Sequence, residues 1–240
     1  MPANIEVCDL SKNYGDIRAV DNISFCAEAG EVIALLGPNG AGKSTLMNMM
    51  AGYLAPSSGN IFILGRNIRD FPLEGKQNIG FLPEGSPLYP DLTVREFLDY
   101  MAGLRLLGKK EAEKAIEIAK IENVAGQKIE TLSKGYQRRV GFAQSVLSDP
   151  PVLLLDEPTD GLDPNQKQHI RQLIGQMGQK KTIMISTHLL DEAETVCNRI
   201  ILINRGRIVA DGKAADIIKR AGAKTLEEAF CQLTTTEDEA

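Results

Sequence analysis

Nine residues, Gly37-Pro38-Asn39-Gly40-Ala41-Gly42-Lys43-Ser44-Thr45, carry the strongest chemical signal in the chain. Glycines at this spacing let the backbone curl so that successive N–H groups face one point. A helix opening at the end of the run adds partial positive charge there. Such a cradle holds a phosphate chain. Lys43 can reach its terminal phosphates, and the Ser44 hydroxyl can ligate Mg²⁺. The loop by itself implies only that a nucleoside triphosphate binds. A second constellation is Val152-Leu153-Leu154-Leu155-Asp156-Glu157, an apolar run ending in two carboxylates. Asp156 suits Mg²⁺, directly or through water. Glu157, on the opposite side of the strand axis, suits orienting or deprotonating an attacking water. The third is Ser186-Thr187-His188, at the end of another apolar run. Beside a phosphate cradle, His188 can hydrogen-bond a terminal phosphate and sense its loss. His169, in a polar helical stretch, reads as surface.

These residues need a scaffold that ends several buried strands at one edge. Val32–Leu36, Val152–Leu155, Ile183–Ile185 and Ile200–Ile203 are continuous apolar runs, as expected of strands covered on both faces. Helical patterns separate them, which implies an α/β core with a largely parallel sheet. The opening stretch differs: Ile23, Phe25 and Ala27 alternate with polar residues, as in a half-buried antiparallel strand. Residues 85–150 read as a helical insert. Thr93 and Glu96 form a capping box there, and Val94, Phe97, Leu98 and Met101 follow helical spacing, as do Ala112, Ala115, Ile116 and Ala119. Asp163-Pro164 is an N-cap followed by proline at the first helical position. Thr225–Glu228 is another capping box, and the polar tail Thr234–Ala240 is expected to fray.

With 240 residues the chain can bury a sizeable core without staples. Its 27 basic and 32 acidic side chains give a net charge of −5, which argues against nonspecific nucleic-acid binding as its main task. No apolar run reaches the roughly 18 residues of a membrane span, and residues 1–30 show no secretory signal pattern. Cys8, Cys26, Cys197 and Cys231 form no CxxC pair and read as reduced core filler.

Taken together, these residues resemble the nucleotide-binding subunit of ATP-binding cassette (ABC) transporters over nearly the whole chain. Leu132-Ser133-Lys134-Gly135-Tyr136 is similar to the family's LSGGQ signature, Gly161-Leu162-Asp163 to its D-loop and Ser186–His188 to its switch segment. Tyr14 sits where the family stacks an aromatic ring on adenine. The resemblance implies a P-loop ABC ATPase fold: a mostly parallel core (1–84 and 151–224) with an N-terminal antiparallel β subdomain, an inserted helical subdomain (85–150), and a short C-terminal helix and tail (225–240). It implies ATP and Mg²⁺ as ligands, with Ser133 and Gly135 serving the ATP of a second copy packed head to tail. Three positions depart from the family: Lys134 and Tyr136 in the signature, and Glu84, which stands where the family has a glutamine. Glu84 can still ligate Mg²⁺ but adds negative charge near the triphosphate. Glu84 and the Lys-Gly-Tyr signature resemble the branch serving exporters of the second type, such as gliding-motility, sodium-efflux and multidrug subunits.

The expected activity is ATP hydrolysis that powers export, through a separate membrane permease that docks near Glu84–Tyr100. The expected location is the cytoplasmic face of a bacterial inner membrane. A soluble ABC ATPase acting on ribosomes or nucleic acid typically fuses two cassettes or carries long coiled coils, and the chain shows neither. A regulator that binds ATP without turning it over has no need of Glu157 and His188.

Overall fold

A computed structural model describes residues 3–235. The chain opens with an antiparallel hairpin, β1 (Ile5–Tyr14) and β2 (Ile17–Ala27). β2 buries Val20, Ile23, Phe25 and Ala27 and turns Ser24 and Cys26 outward, so the alternation has its expected cause. β3 (Val32–Leu36) runs straight into α1 (Lys43–Met50) through the glycine-rich loop. Next come β4 (Ser58–Ile63), β5 (Arg66–Asn67), α2 (Pro72–Gln77) and β6 (Ile79–Leu82). The helical insert holds α3 (Val94–Leu104), α4 (Lys109–Ala119) and α5 (Lys134–Val146). The chain then alternates through β7 (Val152–Asp156), α6 (Pro164–Met177), β8 (Thr182–Thr187), α7 (Leu190–Val196), β9 (Arg199–Asn204), β10 (Arg207–Gly212), α8 (Ala214–Ala221) and α9 (Leu226–Thr234).

The strands form two sheets. One is antiparallel with order β2-β1-β4-β5; the other has order β10-β9-β3-β8-β7-β6. In the second sheet only β10 runs antiparallel to its neighbour, and all other pairs are parallel. β3 is buried along its whole length because each face meets a different layer. Ile33 and Leu35 pack with α1 and the first sheet, whereas Ala34 and Leu36 pack with α7, α8 and α9. β7 divides likewise: Val152 and Leu154 join the α1 layer, and Leu153 and Leu155 join the helical insert and α6. Each valine, leucine or isoleucine among them contributes about 1.5–3 kcal/mol by leaving water, so continuous apolar runs are needed here.

The helix starts follow their sequence signals. Thr93 Oγ1 accepts from Glu96 N at 3.2 Å while the Glu96 carboxylate accepts from Thr93 N at 2.9 Å. Asp163 Oδ1 accepts from Gln166 N at 3.0 Å. At α9 the box is only half made. Thr225 Oγ1 accepts from Glu228 N, but the Glu228 carboxylate turns to Lys224 N instead of Thr225 N. Residues 236–240 of the expected frayed tail lie outside the described residues. The cysteines are free, as expected, but only Cys197 packs against the core, where burial pushes its thiol up to about 12; Cys26 and Cys231 are exposed, and Cys8 is half-buried on β1. Cys26 lies on the outward face of β2, where period-2 alternation puts it in solvent. His169 is half-buried rather than on the surface, and burial lowers its pKa.

Candidate functional site

Four adjacent parallel strands, β3, β8, β7 and β6, end at one edge, where an open α/β sheet places its ligands. Their tips release the glycine-rich loop, His188, Asp156-Glu157 and Glu84 respectively. The sheet therefore brings together residues that lie up to 151 positions apart, from Gly37 to His188.

The loop needs glycine for two separate reasons. Gly40 and Gly42 adopt φ of 80° and 106°, which other residues rarely take. A Cβ on Gly37 would lie 2.3 Å from the Ile203 carbonyl oxygen, and one on Gly42 would lie 2.3 Å from that of Ala19. Lys43 is buried, and its Nζ donates to Gly37 O at 2.6 Å and Pro38 O at 3.1 Å, bridging the loop. Burial lowers its pKa, while Glu157, Asp156 and Glu84 hold the ammonium charged. A cavity of about 380 Å³ is lined by Asn39, Gly40, Gly42, Lys43, Ser44, Thr45, Glu84, Asp156, Glu157 and Ser186, with Ala19 of β2 at its wall.

This donor set fits Mg²⁺ held together with a triphosphate. Among the described residues no three His, Cys, Asp or Glu side chains cluster closely enough to hold a metal by themselves. Mg²⁺ characteristically takes one or two carboxylates plus phosphate oxygens and water. Ser44, Asp156 and Glu84 supply oxygen only, and Ser186 Oγ, fully buried in the same wall, has no partner of its own.

Glu157 lies just past the end of β7, not within the strand, and adopts φ of 50°. Such a left-handed conformation in a non-glycine residue marks a site where the surroundings overrule local preference. Its N–H donates to Ser186 O at 2.9 Å, and its Oε1 meets His188 Nδ1 at 2.8 Å. Burial raises the Glu157 pKa, and the His188 hydrogen bond and charge, with Lys43, pull it back down. A carboxylate with a raised pKa is a better proton acceptor near neutral pH. With Glu157 as the proton acceptor expected from the sequence, phosphate release should have an acid limb above the ordinary carboxylate range. His188→Ala removes a contact that lowers this pKa, so the limb should move to still higher pH in a kcat profile. A limb that stayed in place would remove His188 from the control of Glu157.

A second cavity of about 700 Å³ adjoins the first, with Pro38, Glu84, Ser86, Lys134, Arg138, Glu157, Asp160, His188 and Phe230 among its lining residues. Lys134 and Glu84, two of the departures from the family pattern, share this wall, so the added cation and the added anion lie in one chamber. The third departure, Tyr136, points elsewhere. Its hydroxyl accepts from Asn123 Nδ2 at 2.9 Å, and the Arg139 guanidinium lies 5.3 Å from its ring centre. It packs against the helical insert.

Ser133 caps α5 by accepting from Tyr136 N at 3.4 Å, and its tip is exposed. Gly135 is required by a close approach: a Cβ there would lie 2.7 Å from Gln166 Oε1 and 3.3 Å from Gly161 O. Signature and D-loop segments of one chain are thus packed together. Neither Ser133 nor Gly135 lines either cavity. Nor does Tyr14, which stands half exposed at the end of β1 with Lys12 Nζ 5.3 Å from its ring centre. Sequence reasoning gave no role to Arg138 or Phe230, and it named Ser186 only as part of the segment that ends in His188. Arg138 follows two polar residues in a stretch that reads as an exposed helix start, and no local pattern marks it as buried.

Loops of this construction, opening beside a strand-tip carboxylate on a parallel sheet, define P-loop nucleoside triphosphatases. Residues 20–160 match the family model described as ABC transporter. The "Probable multidrug ABC transporter ATP-binding protein YbhF" of Escherichia coli K12 is 36% identical over 239 residues, 95% of this chain. The chain spans only 41% of that protein's length. The Nod factor export ATP-binding protein I of Burkholderia orbicola is 38% identical over 223 residues, 90% of this chain and 73% of that protein. The dimeric post-hydrolysis structure of the ATP-binding cassette MJ0796 bound to ADP and Pi superposes with a TM-score of 0.81 at 27% identity, over 87% of this chain and 98% of that one. The chain belongs to the ABC transporter family, as an ATP-binding subunit with the cassette ATPase fold.

Proposed function

We propose that the chain, as a single cassette spanning 1–240, hydrolyses ATP to power export through a separate membrane permease, with two copies closing head to tail over two nucleotides. The observation that carries this reading is the division of the site. Cradle, carboxylates and His188 converge on two joined cavities, while Ser133, the cap of α5, is exposed and lines neither of them, although Lys134 beside it lines the larger one and Gly135 is buried. An exposed helix N-terminus is an anion site without an anion of its own chain to serve. The dimeric MJ0796 cassette and the export names of the relatives favour the same arrangement.

In this reading the Gly37–Thr45 amides and Lys43 hold the β- and γ-phosphates, and Tyr14 meets the base. Ser44, Asp156 and Glu84 would hold Mg²⁺, which when bound neutralises charge on the phosphate oxygens. Glu157 accepts a proton from water as the water oxygen bonds to the γ-phosphorus. The bond to the bridging oxygen breaks, releasing ADP and phosphate. His188 fixes the Glu157 carboxylate and meets the departing phosphoryl. Loss of that group removes the charge that held the two surfaces together, and the dimer reopens.

Among the described residues no helix is long and apolar enough to cross a membrane, and in this reading a membrane permease supplies the transport path. An apolar groove of about 450 Å³ supports its docking place. Tyr53, Leu73, Phe81, Leu104 and Leu106 line it, and Leu73 and Leu106 are 77% and 94% exposed. It lies beside the expected Glu84–Tyr100 segment rather than along it. The chain is peripheral on the cytoplasmic face of the inner membrane in this reading. Leu106→Glu should leave phosphate release intact and reduce co-sedimentation with membranes from cells expressing the permease. Unchanged co-sedimentation would remove the groove assignment. Absence of phosphate release by the unmodified chain with ATP and Mg²⁺ would overturn the function.

A further inference from the structure

Arg138 is almost fully buried, yet it lies one and a half turns into α5 and faces the sheet edge. Its guanidinium joins three segments. Nη1 donates to Pro83 O at 2.8 Å and to Ser86 Oγ at 2.9 Å, on the loop after β6 that carries Glu84. Nε and Nη2 donate to Glu157 O at 3.1 and 2.8 Å, and Nη2 also meets Asp156 O. The backbone of α5 rests on the same loop, because a Cβ on Gly141 would lie 2.8 Å from Ser86 Oγ.

We propose that Arg138 is a positioning residue that couples the two nucleotide sites of the dimer, bolting the helix whose tip serves the mate's ATP to the backbone that carries this chain's own Glu157. This rests on the head-to-tail reading above. Ser133 and Arg138 are five residues apart on one helix, about 7.5 Å along its axis, so a shift at the tip moves the guanidinium with little loss. The Glu157 carbonyl accepts from Arg138 and from Asp160 N at 3.1 Å. Together with its N–H bond to Ser186 O, these contacts fix the left-handed backbone that aims the carboxylate. Engagement of the mate's triphosphate at Ser133 is thereby felt at the local proton acceptor. Planarity matters: one flat fork serves acceptors on two loops at once, which an ammonium cannot reproduce.

The test measures phosphate release against ATP concentration for the unmodified chain, Arg138→Gln and Arg138→Lys, with direct ATP titration and thermal melting alongside. The unmodified chain should be cooperative, with a Hill coefficient above 1 and below the ceiling of about 2 for two sites. In R138Q, kcat should fall by roughly 10- to 100-fold, the loss expected when a reacting group is misplaced by about 1 Å. ATP affinity should stay within about twofold, and the Hill coefficient should drop to about 1. R138K should fall between the two, and it serves the same measurement if R138Q folds poorly. If either folded variant keeps the cooperativity of the unmodified chain, the coupling is overturned even though the ATPase reading stands. Parallel loss of binding, kcat and melting temperature at an unchanged Hill coefficient would make Arg138 merely structural. An unmodified chain that released no phosphate would overturn the functional reading and the coupling with it.

Discussion

Glu157→Gln is expected to lower phosphate release by roughly 10²–10⁴-fold, the range a positioned general base contributes, while ATP binding persists. The substitution is nearly isosteric. It keeps the backbone bonds to Ser186 and Arg138 and leaves an amide that still meets His188. What it removes is the proton acceptor. The variant should accumulate as a nucleotide-bridged dimer, because closure proceeds and reopening does not. Size-exclusion chromatography with saturating ATP and Mg²⁺ reads this directly. A variant that bound ATP yet eluted as a monomer would count against the head-to-tail pair.

Lys43→Ala should weaken ATP binding by roughly 10- to 100-fold, equivalent to the 1.5–3 kcal/mol typical of a hydrogen bond to a charged group. The ammonium is buried among the loop carbonyls and three carboxylates, so it is the cation nearest the expected path of the triphosphate. Its loss also takes a donor from Gly37 O, whereas Pro38 O keeps the one from Ala41 N at 3.1 Å. Thermal melting therefore accompanies the fluorescent-nucleotide titration, to separate a softened loop from a lost phosphate contact. Unchanged affinity in a folded variant would remove the cradle assignment.

The parts that were legible in the sequence are those where local pattern and tertiary role coincide. Val32–Leu36 and Val152–Leu155 had to be two-faced strands, and their ends had to carry the chemistry, because glycine or carboxylate follows each apolar run directly. Thr93 and Asp163 announced helix starts through side chains that act within four residues. The contacts that escaped notice span the chain. Nothing near Arg138 reveals that Pro83 lies 55 positions upstream and Glu157 19 downstream, both within hydrogen-bond reach. The left-handed backbone of Glu157 was equally hidden, since Glu is a residue that local preference keeps out of that region. Tyr136 was legible as a departure but not as a packing residue, because its partner Asn123 sits in a separate 3₁₀ turn. Phe230 reached the cavity only because α9 folds back over β3 and β9.

The twisted main chain at position 157 makes durability and turnover pull in opposite directions. A non-glycine residue in that geometry costs on the order of 1–2 kcal/mol, a penalty glycine escapes. A lineage screened solely for heat tolerance would thus be free to adopt an exchange here that relieves the strain and leaves it inert, so continued demand for fuel burning is what keeps the acid in place.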